Sequence, residues 1–430
     1  MDIEVGYGRG KLRLEVPRES LLGLLEPSEP VLPPSDEFEI ARALENPIGS
    51  PPLEDIAKPG MKVVVMASDI TRPSPTAKLL PPLLQRLNRA GVSDRDITVM
   101  FGMGIHRSHT EDEKKTLVGP LIYDRCACVD STESGDFVLA GTTSRGTPVE
   151  VNRAVAECDL LIATGNVEYH YFAGYSGGAK AVMPGACSKR TVEANHSMQL
   201  LPGAENGSYG DNPVRQDIEE AGKMLRLKFI LNVVLDEKKR IVKAVSGDPL
   251  AAHAEARRVT DLTYGVKVDS LADIVIASAG GHPKDINLYQ AQKALENAKY
   301  AVRDGGVIIL TAECPEGFGE PVFEKYMTGM DLDEIVESIR AKFVLGGHKA
   351  AAVARVIKRA GVYLVSAMDS RTVTRCTMTP FRDLREALAS AFAKVGADAK
   401  IWVMPYAGST VPRCCTTNKA VKVRIPKKER

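Results

Sequence analysis

The stretch KVVVMASDITRPSPTAKLLPPLLQRLNRAGVSDRDITVMF, residues 62–101, predicts the fold of this chain. Lys62–Ala67 and Asp96–Phe101 are short aliphatic runs without polar alternation, which is typical of buried parallel strands. Between them, Thr76–Ala90 has leucines at helical spacing and ends before Gly91, a residue suited to a helix C-terminus. A strand, a helix and a strand in this order indicate a doubly wound α/β fold with a mostly parallel sheet.

The same alternation continues along the chain. Further elements of a first series are predicted at Asp159–Ala163, Phe229–Leu235 and Ile241–Val245 (strands) and Pro249–Arg258 (helix). After a pause, the strands of a second series are predicted at Asp273–Ser278, Val307–Thr311, Val362–Ser366 and Ile401–Met404. Its helices are predicted at Asn287–Val302, Leu332–Ala341, Lys349–Arg359 and Phe381–Val395. We therefore predict two α/β domains, each built on a mostly parallel sheet flanked by helices.

The pause near residues 264–269 sets the predicted domain boundary. Residues 1–268 are assigned to the first domain, including a hairpin within Glu4–Pro17, and residues 269–410 to the second. The tail, 411–430, alternates at Val421–Ile425 like an edge strand, which favours its return to the first domain.

Composition excludes several classes of protein. The chain has 430 residues and a net charge of only +1, which argues against a nucleic-acid surface. It contains no run of about 18 apolar residues and no apolar segment behind the N-terminal charges, so we expect a cytoplasmic protein that does not enter membranes. Eight cysteines without a CxxC pair do not indicate a disulfide framework.

Unusual loops follow the carboxyl ends of four predicted strands. They are Ser68–Pro73 (SDITRP), Gly102–Arg107 (GMGIHR), Thr164–Gly185 (TGNVEYHYFAGYSGGAKAVMPG) and Gly280–Lys293 (GGHPKDINLYQAQK). Open α/β sheets bind ligands at this edge. Because the loops belong to both predicted domains, we expect the active site in a cleft between the domains.

Three of the seven histidines, His106, His170 and His196, fall in or next to these loops. Histidine changes charge near neutral pH and is the commonest metal ligand, so the group suits either acid–base catalysis or metal coordination. A three-histidine zinc site, as in a hydrolase or lyase, is one open hypothesis. The chain has no HxH or HExxH kernel to support it.

The glycine-rich segment around Lys180 suggests an anion site or a covalent attachment point. SGGAKA lacks the spacing and the hydroxyl of a P-loop, which argues against an NTPase. Successive amides of such a turn can hold an anion, and a lysine with a lowered pKa can attach a group covalently. Arg72 and Lys293 could together bind a small carboxylate, and Asp69 could hold a hydroxyl group or cap a helix.

Together these motifs resemble the nickel-dependent lactate racemase family, and the resemblance covers nearly the whole chain. The matching segments, in the family's order and spacing, are DITRP at 69–73, GMGIHR at 102–107, YHYFAGYSGGAKAVMPG at 169–185, ANHS at 194–197, GGHPKDINLYQAQK at 280–293 and LGGHKA at 345–350. Ten positions separate His170 from Lys180, and sixteen separate Lys180 from His196.

The resemblance implies a racemase or epimerase of a 2-hydroxy acid that works by hydride transfer to a nickel-pincer nucleotide. In that family pattern Lys180 matches the residue that tethers the cofactor, His196 the nickel ligand, and His106 and His170 the two general acid/base residues. Further expected contacts are Arg72, Gln290 and Lys293 with substrate, and Asp69, Thr71, Ser176 and Tyr289 with cofactor. Enzymes that assemble the cofactor are the implied partners. A non-catalytic homologue that only binds the cofactor is the other alternative.

Two positions depart from the family pattern. Gly347–Lys349 stands where some lactate racemases have tryptophan, and Tyr169 stands where proline often precedes the catalytic histidine. Since the first of these segments is expected near the substrate, the resemblance predicts the reaction but leaves the individual 2-hydroxy acid open.

Overall fold

The computed structural model describes residues 1–414. Its strands, in chain order, are β1 (Asp2–Tyr7), β2 (Gly10–Glu15), β3 (Leu21–Leu24), β4 (Val63–Ser68), β5 (Ile97–Gly102), β6 (Ala127–Asp130), β7 (Phe137–Thr142), β8 (Pro148–Asn152), β9 (Leu160–Asn166), β10 (Tyr169–His170), β11 (Gly174–Tyr175), β12 (Leu227–Leu235), β13 (Ile241–Gly247), β14 (Gly265–Val268), β15 (Ala272–Ser278), β16 (Val302–Thr311), β17 (Gly361–Val365), β18 (Thr379–Phe381), β19 (Ile401–Met404) and β20 (Val411–Cys414).

The α-helices are α1 (Asp36–Glu45), α2 (Leu53–Ile56), α3 (Thr76–Arg89), α4 (Glu111–Val118), α5 (Pro120–Arg125), α6 (Arg153–Glu157), α7 (Lys189–Ser197), α8 (Pro213–Met224), α9 (Pro249–Tyr264), α10 (Leu288–Ala298), α11 (Pro321–Gly329), α12 (Leu332–Ala341), α13 (Gly347–Arg359), α14 (Ser370–Arg375) and α15 (Leu384–Val395). None of these described helices is long and apolar enough to cross a membrane.

The chain divides into two compact units. The first unit comprises Ser28–Thr263 and Glu337–Val344, and the second comprises Met1–Pro27, Tyr264–Val336 and, among the described residues, 345–414. Each contains a six-stranded sheet in which neighbouring strands are mainly parallel, with helices between the strands. This confirms the predicted α/β fold class with two sheet-based domains.

The sheet of the first unit has the order β13-β12-β9-β4-β5-β6, and only β13 runs antiparallel to its neighbour. It is buried on both faces: Val64 and Met66 of β4 belong to one hydrophobic core, whereas Val63 and Val65 belong to another on the opposite face. This two-sided burial explains why the strands are aliphatic runs without polar alternation.

The sheet of the second unit has the order β18-β17-β16-β15-β19-β3, and all its neighbours are parallel. The N-terminal segment supplies its last strand, since Leu24 of β3 pairs with Val403 of β19. The β1–β2 hairpin also places Val5 and Leu14 in the core of this unit. The assignment of residues 1–27 to the first domain was therefore wrong, because their apolar side chains are buried against the second sheet.

Two further expectations need correction or lie outside the described residues. The helix predicted from Phe381 begins at Leu384, because Thr379–Phe381 pairs with β17 as a strand and Asp383 caps the helix. At the C-terminus, β20 pairs with β14 of the second unit. The predicted edge strand at 421–425 lies outside the described residues.

Replacing Leu14 with alanine tests the corrected position of the hairpin. Leu14 is only 4% exposed, so the cavity should lower the free energy of unfolding of the second unit by about 2–5 kcal/mol. Hydrogen exchange followed by mass spectrometry should show lost protection in β15 and β16 and unchanged protection in β4 and β5. Leu44→Ala in α1 of the first unit, a residue that is 1% exposed, is the matched control and should give the opposite pattern. Loss of protection in β4 and β5 on Leu14→Ala would contradict the assignment.

Candidate active site

The predicted site residues of the first unit follow three neighbouring strands. Asp69 and Arg72 follow β4, His106 follows β5, and His170 and Lys180 follow β9. Because β4 pairs in parallel with both β5 and β9, their carboxyl ends meet at one edge of the sheet. The described geometry therefore brings these residues together.

Asp69 contacts two other predicted site residues, His106 and Arg72, through its carboxylate. It is 4% exposed and accepts a 2.7 Å hydrogen bond from the Thr71 backbone N–H. Its Oδ2 lies 3.4 Å from His106 Nδ1 and 4.0 Å from Arg72 Nε. Burial by itself would raise the pKa of Asp69, but the contacts with His106 and Thr71 and the charge of Arg72 hold the pKa below its usual value. An ionised Asp69 beside Nδ1 favours the ring proton of His106 on Nδ1, which leaves the lone pair on Nε2.

A buried histidine that the sequence reasoning missed holds the Asp69 loop. The Ile70 N–H donates to His109 Nε2 at 3.1 Å, and His109 Nδ1 lies 2.7 Å from Asp130 Oδ1. Since Nε2 accepts, Nδ1 carries the ring proton and donates to Asp130. The only signal in the sequence was a second histidine three residues after His106.

His170 lies on a short hairpin made by β10 and β11. The hydroxyl groups of Tyr169 and Tyr175, which pair across this hairpin, both donate to Asp261 Oδ1 on α9 at 2.8 Å. Tyr169, one of the departures from the family pattern, therefore anchors the hairpin that carries His170 to a neighbouring helix.

The His170 ring is held in one orientation and is neutral near neutral pH. The Ala173 N–H donates to its Nδ1 at 3.2 Å, so the proton of the neutral ring is on Nε2. The Phe172 ring packs edge-on at 4.5 Å between centroids. Burial, and then the charges of Lys180 and Arg72, lower the pKa of His170 well below its ordinary value.

Three buried side chains hold the turn that carries Lys180 from below. Asn232 Oδ1 accepts from the Gly178 N–H at 2.8 Å, and His253 Nε2 lies 2.8 Å from the Ser176 carbonyl oxygen, to which it donates. Arg215 donates through both Nη atoms to the Gly177 carbonyl oxygen at 3.3 Å. Asn232, Arg215 and His253 are at most 1% exposed. They are isolated polar residues on β12, α8 and α9, and no motif in the sequence indicated them.

This support explains the glycine pair. Gly177 and Gly178 have φ values of 70° and 58°, and a Cβ at Gly178 would lie 2.9 Å from Arg215 Nη2. The N–H of Gly178 binds Asn232, and the N–H of Lys180 binds the Gly177 carbonyl oxygen at 3.2 Å. These two amides are therefore used within the protein, which weakens the hypothesis that the turn binds an anion.

Ser176, expected to contact the cofactor, has a structural role in this conformation. Its hydroxyl donates to the Asn166 carbonyl oxygen at 2.9 Å and accepts from the Glu168 N–H at 2.9 Å. The hydroxyl proton is thus used to close the loop between β9 and the Lys180 turn.

The Lys180 amine is unusual in its surroundings. Within residues 1–414, its Nζ has no hydrogen bond or ion pair. Burial, followed by the charges of Arg72 and Arg215, lowers the pKa of Lys180 to about 7. A large fraction of this amine is neutral, and therefore nucleophilic, near neutral pH.

His196 lies in the last turn of α7, and its Nδ1 is 3.0 Å from Asn195 Oδ1. The Phe172 ring packs against both His196, at 4.9 Å between centroids, and His170. No group of three or more His, Cys, Asp or Glu side chains in the described part of the chain is arranged to hold a metal ion. His106, His170 and His196 therefore do not form the three-histidine site that the zinc hypothesis requires.

The remaining predicted residues lie on α10 of the second unit. Tyr289, Gln290 and Lys293 are in its first two turns, and Asn287 Oδ1 caps the helix by accepting from the Gln290 N–H at 3.0 Å. Lys349 Nζ donates to the Tyr289 carbonyl oxygen at 2.8 Å and lies 3.6 Å from the centre of the Tyr289 ring. The departure at Gly347–Lys349 thus places a buried cation against Tyr289.

The pH dependence of Lys180 acylation tests its lowered pKa. The protonated fraction of Lys180 should fall as the pH rises through about 7, so its reaction with a small anhydride should reach a plateau just above neutral pH. The exposed Lys238 is the control, because an ordinary lysine amine gains reactivity up to a pH of about 10.4. Peptide mass spectrometry after brief labelling would measure both. A Lys180 profile parallel to that of Lys238 would contradict the assignment.

Known proteins match this chain over almost its full length. Residues 7–207 match the lactate racemase N-terminal domain and residues 267–411 match the lactate racemase C-terminal domain. A lactate racemase of Thermoanaerobacterium thermosaccharolyticum is 35% identical over 426 residues, which covers 96% of this chain and 99% of that protein. A lactate racemase of Lactiplantibacillus plantarum is 35% identical over 382 residues, which covers 86% of this chain and 89% of that protein.

Solved structures agree with these matches. The lactate racemase apoprotein from Thermoanaerobacterium thermosaccharolyticum superposes with a TM-score of 0.86, covering 96% of this chain and all of that one. A Thermotoga maritima protein shares the fold at 19% identity, with a TM-score of 0.62 over 90% of this chain and all of that one. The relatives support an isomerase of the racemase type. The chain belongs to the lactate racemase family.

Proposed function

We propose that this protein racemises or epimerises a 2-hydroxy acid by reversible hydride transfer to a nickel-pincer nucleotide tethered at Lys180. The observation that carries the proposal is the Lys180 amine, which has a pKa of about 7 and no hydrogen-bonding partner among residues 1–414. The Lys180 amine interacts electrostatically with His170, and so does His196, because both lower the pKa of His170.

The side chains present fit the proposed cofactor. The neutral amine of Lys180 suits covalent attachment of a carboxyl-derived arm. His196 Nδ1 donates its proton to Asn195 Oδ1, so the His196 lone pair that would bind the metal is on Nε2. When bound, the nickel nucleotide would supply an acceptor for the α-hydrogen of the substrate as hydride. Removing that hydrogen as a proton would place a second negative charge next to the substrate carboxylate. Hydride transfer avoids this dianion.

The protein's own residues would manage the hydroxyl proton and the substrate charge. His106 has its Nε2 lone pair available in the tautomer favoured by Asp69, so it would accept the hydroxyl proton, and Asp69 would stabilise the imidazolium that forms. Arg72, in contact with the same carboxylate at 4.0 Å, would bind the substrate carboxylate.

His170 would exchange a proton with the hydroxyl group of the opposite enantiomer. To accept a proton at Nε2, its ring must first change from the Nε2-protonated to the Nδ1-protonated tautomer. Its Nε2 carries a proton while Nδ1 accepts from Ala173, so proton acceptance at Nε2 requires that hydrogen bond to break. Acylation of Lys180 would remove a positive charge that lowers the pKa of His170. The pKa of His170 should therefore move toward its ordinary value when the cofactor is attached, which suits acid–base catalysis.

The substrate is proposed at the level of a lactate-like 2-hydroxy acid. The two curated relatives are lactate racemases, and Gln290 and Lys293 are proposed to contact the substrate as the family pattern implies. Tyr289, Asp69, Thr71 and Ser176 are proposed as neighbours of the cofactor, with Ser176 acting through the loop it closes. Enzymes that assemble the nucleotide are the proposed partners.

The mass of the Lys180 peptide is the direct test. Protein produced together with the cofactor-assembly enzymes should carry the nucleotide on Lys180 and contain nickel, whereas Lys180→Ala should carry neither. With an α-deuterated 2-hydroxy acid, the product should largely retain deuterium because the label moves as hydride. An unmodified Lys180 in an active racemase, or rapid loss of the label to solvent, would refute the proposal.

Substitution of each histidine tests the acid–base assignment. His106→Gln and His170→Gln should each lower kcat by a factor of about 10²–10⁴, because each removes a positioned acid–base group. Chiral chromatography in both reaction directions measures the rate, and peptide mass shows that the tether remains. Lys238→Gln, an exposed residue in the turn between β12 and β13 and outside the proposed site, is the control and should retain the wild-type rate. Wild-type rates for either active-site variant would remove that residue from the mechanism.

A further inference from the structure

We propose that Asp217, acting through Asn195, fixes the tautomer of His196 so that Nε2 is the metal-binding nitrogen. The inference rests on the proposed function, in which His196 is the nickel ligand. It adds Asp217 on α8, which lies outside the sequence motifs, and assigns a positioning role to Asn195, which stands beside the ligand in the ANHS segment of α7.

Asp217 is a fully buried carboxyl group whose contacts are hydrogen bonds. It is 0% exposed, its Oδ1 accepts from the Thr143 hydroxyl at 2.5 Å, and its Oδ2 accepts from Asn195 Nδ2 at 2.8 Å. Across residues 1–414 it forms no ion pair with a cationic side chain. Burying a carboxyl group without a cation is costly, so the site depends on these donors.

The contacts of Asn195 determine which way its amide group faces. Its Nδ2 donates to Asp217 Oδ2 and, at 3.2 Å, to the Val214 carbonyl oxygen. Both partners are acceptors, so the NH₂ group must face them and Oδ1 must face the other way. Oδ1 lies 3.0 Å from His196 Nδ1. An amide oxygen can only accept, and therefore Nδ1 carries the ring proton.

A flipped Asn195 amide would reverse this arrangement. Its oxygen would then face the Asp217 carboxyl group and the Val214 carbonyl group, which places acceptors against acceptors in a fully buried position. Its NH₂ group would donate to His196 Nδ1 and move the ring proton to Nε2. Because a metal binds only an unprotonated ring nitrogen, Asp217 would select the binding-competent tautomer from a distance of two hydrogen bonds.

The tautomer can be measured in the protein without cofactor. In apoprotein labelled with ¹⁵N-histidine, with the His196 signals assigned by loss in His196→Gln, the wild type should show the proton on Nδ1. Asp217→Leu removes the carboxylate acceptor and leaves Asn195 Nδ2 only the longer, 3.2 Å contact with the Val214 carbonyl oxygen, so it should shift His196 toward the form with the proton on Nε2. A wild-type spectrum with the proton on Nε2, or an Asp217→Leu spectrum unchanged from wild type, would overturn the proposal.

Two variants separate positioning from general damage. Asp217→Asn retains an oxygen that can accept from Asn195 and should preserve the wild-type tautomer. Ser197→Ala removes a hydrogen bond to the Ala194 carbonyl oxygen on the same helix, next to His196 but outside this network, and should also leave the tautomer unchanged. A shift in both controls equal to that of Asp217→Leu would show a structural effect only and would contradict the proposal. If Asp217→Leu does not fold, the wild-type spectrum still decides.

In cofactor-loaded protein, the ratio of nickel to Lys180-tethered nucleotide provides a second measurement. Asp217→Leu should lower this ratio by about 10–100-fold at limiting nickel, the usual effect of losing a partner of a metal-binding histidine, while the tether remains. An unchanged ratio would overturn the inference. Wild-type protein that has neither tether nor nickel would instead refute the proposed function, whatever tautomer the apoprotein shows.

Discussion

The buried support beneath the Lys180 turn is the interaction on which the site depends. Arg215, His253 and Asn232 bind successive backbone groups of the turn, and all three are almost fully buried. This support leaves the Lys180 amine without a partner in the described residues and in a setting that lowers its pKa to about 7. A more solvated turn would keep the amine protonated, because water stabilises an ammonium ion better than a buried site with two neighbouring arginines.

The Nδ1 partners of four histidines in this part of the first unit indicate which ring nitrogen carries the proton in the neutral form of each. Nδ1 of His106 faces a carboxylate, Nδ1 of His109 donates to Asp130, and Nδ1 of His196 faces the Asn195 amide oxygen. In contrast, Nδ1 of His170 accepts a backbone N–H. The partner of one ring nitrogen therefore determines what the other can do: accept a proton, hold a loop, bind a metal or donate a hydrogen bond.

Two departures from the family pattern acquire a physical meaning in the structure. Tyr169 shares Asp261 with Tyr175 and so fixes the hairpin beneath His170. Lys349 packs its amine over the Tyr289 ring and binds the Tyr289 carbonyl oxygen, so the second departing segment contacts a predicted cofactor residue directly. Both departures therefore lie in segments that contact or support predicted site residues.

The sequence by itself determined the fold class and the list of chemical groups. Aliphatic runs buried on both faces have no polar alternation, so strands such as β4 could be recognised from the local sequence. His170, Lys180 and His196 lie within 27 consecutive residues, so their spacing could also be read from the sequence. Only the tertiary structure decided that residues 1–27 join the second sheet. The local sequence of a short edge strand such as β3 does not specify which sheet contains its partner strand. It also decided the roles of Arg215, Asp217, His253 and Asp261. These are single polar residues whose meaning comes from hydrogen bonds to distant segments, and no local pattern distinguishes them from solvated side chains.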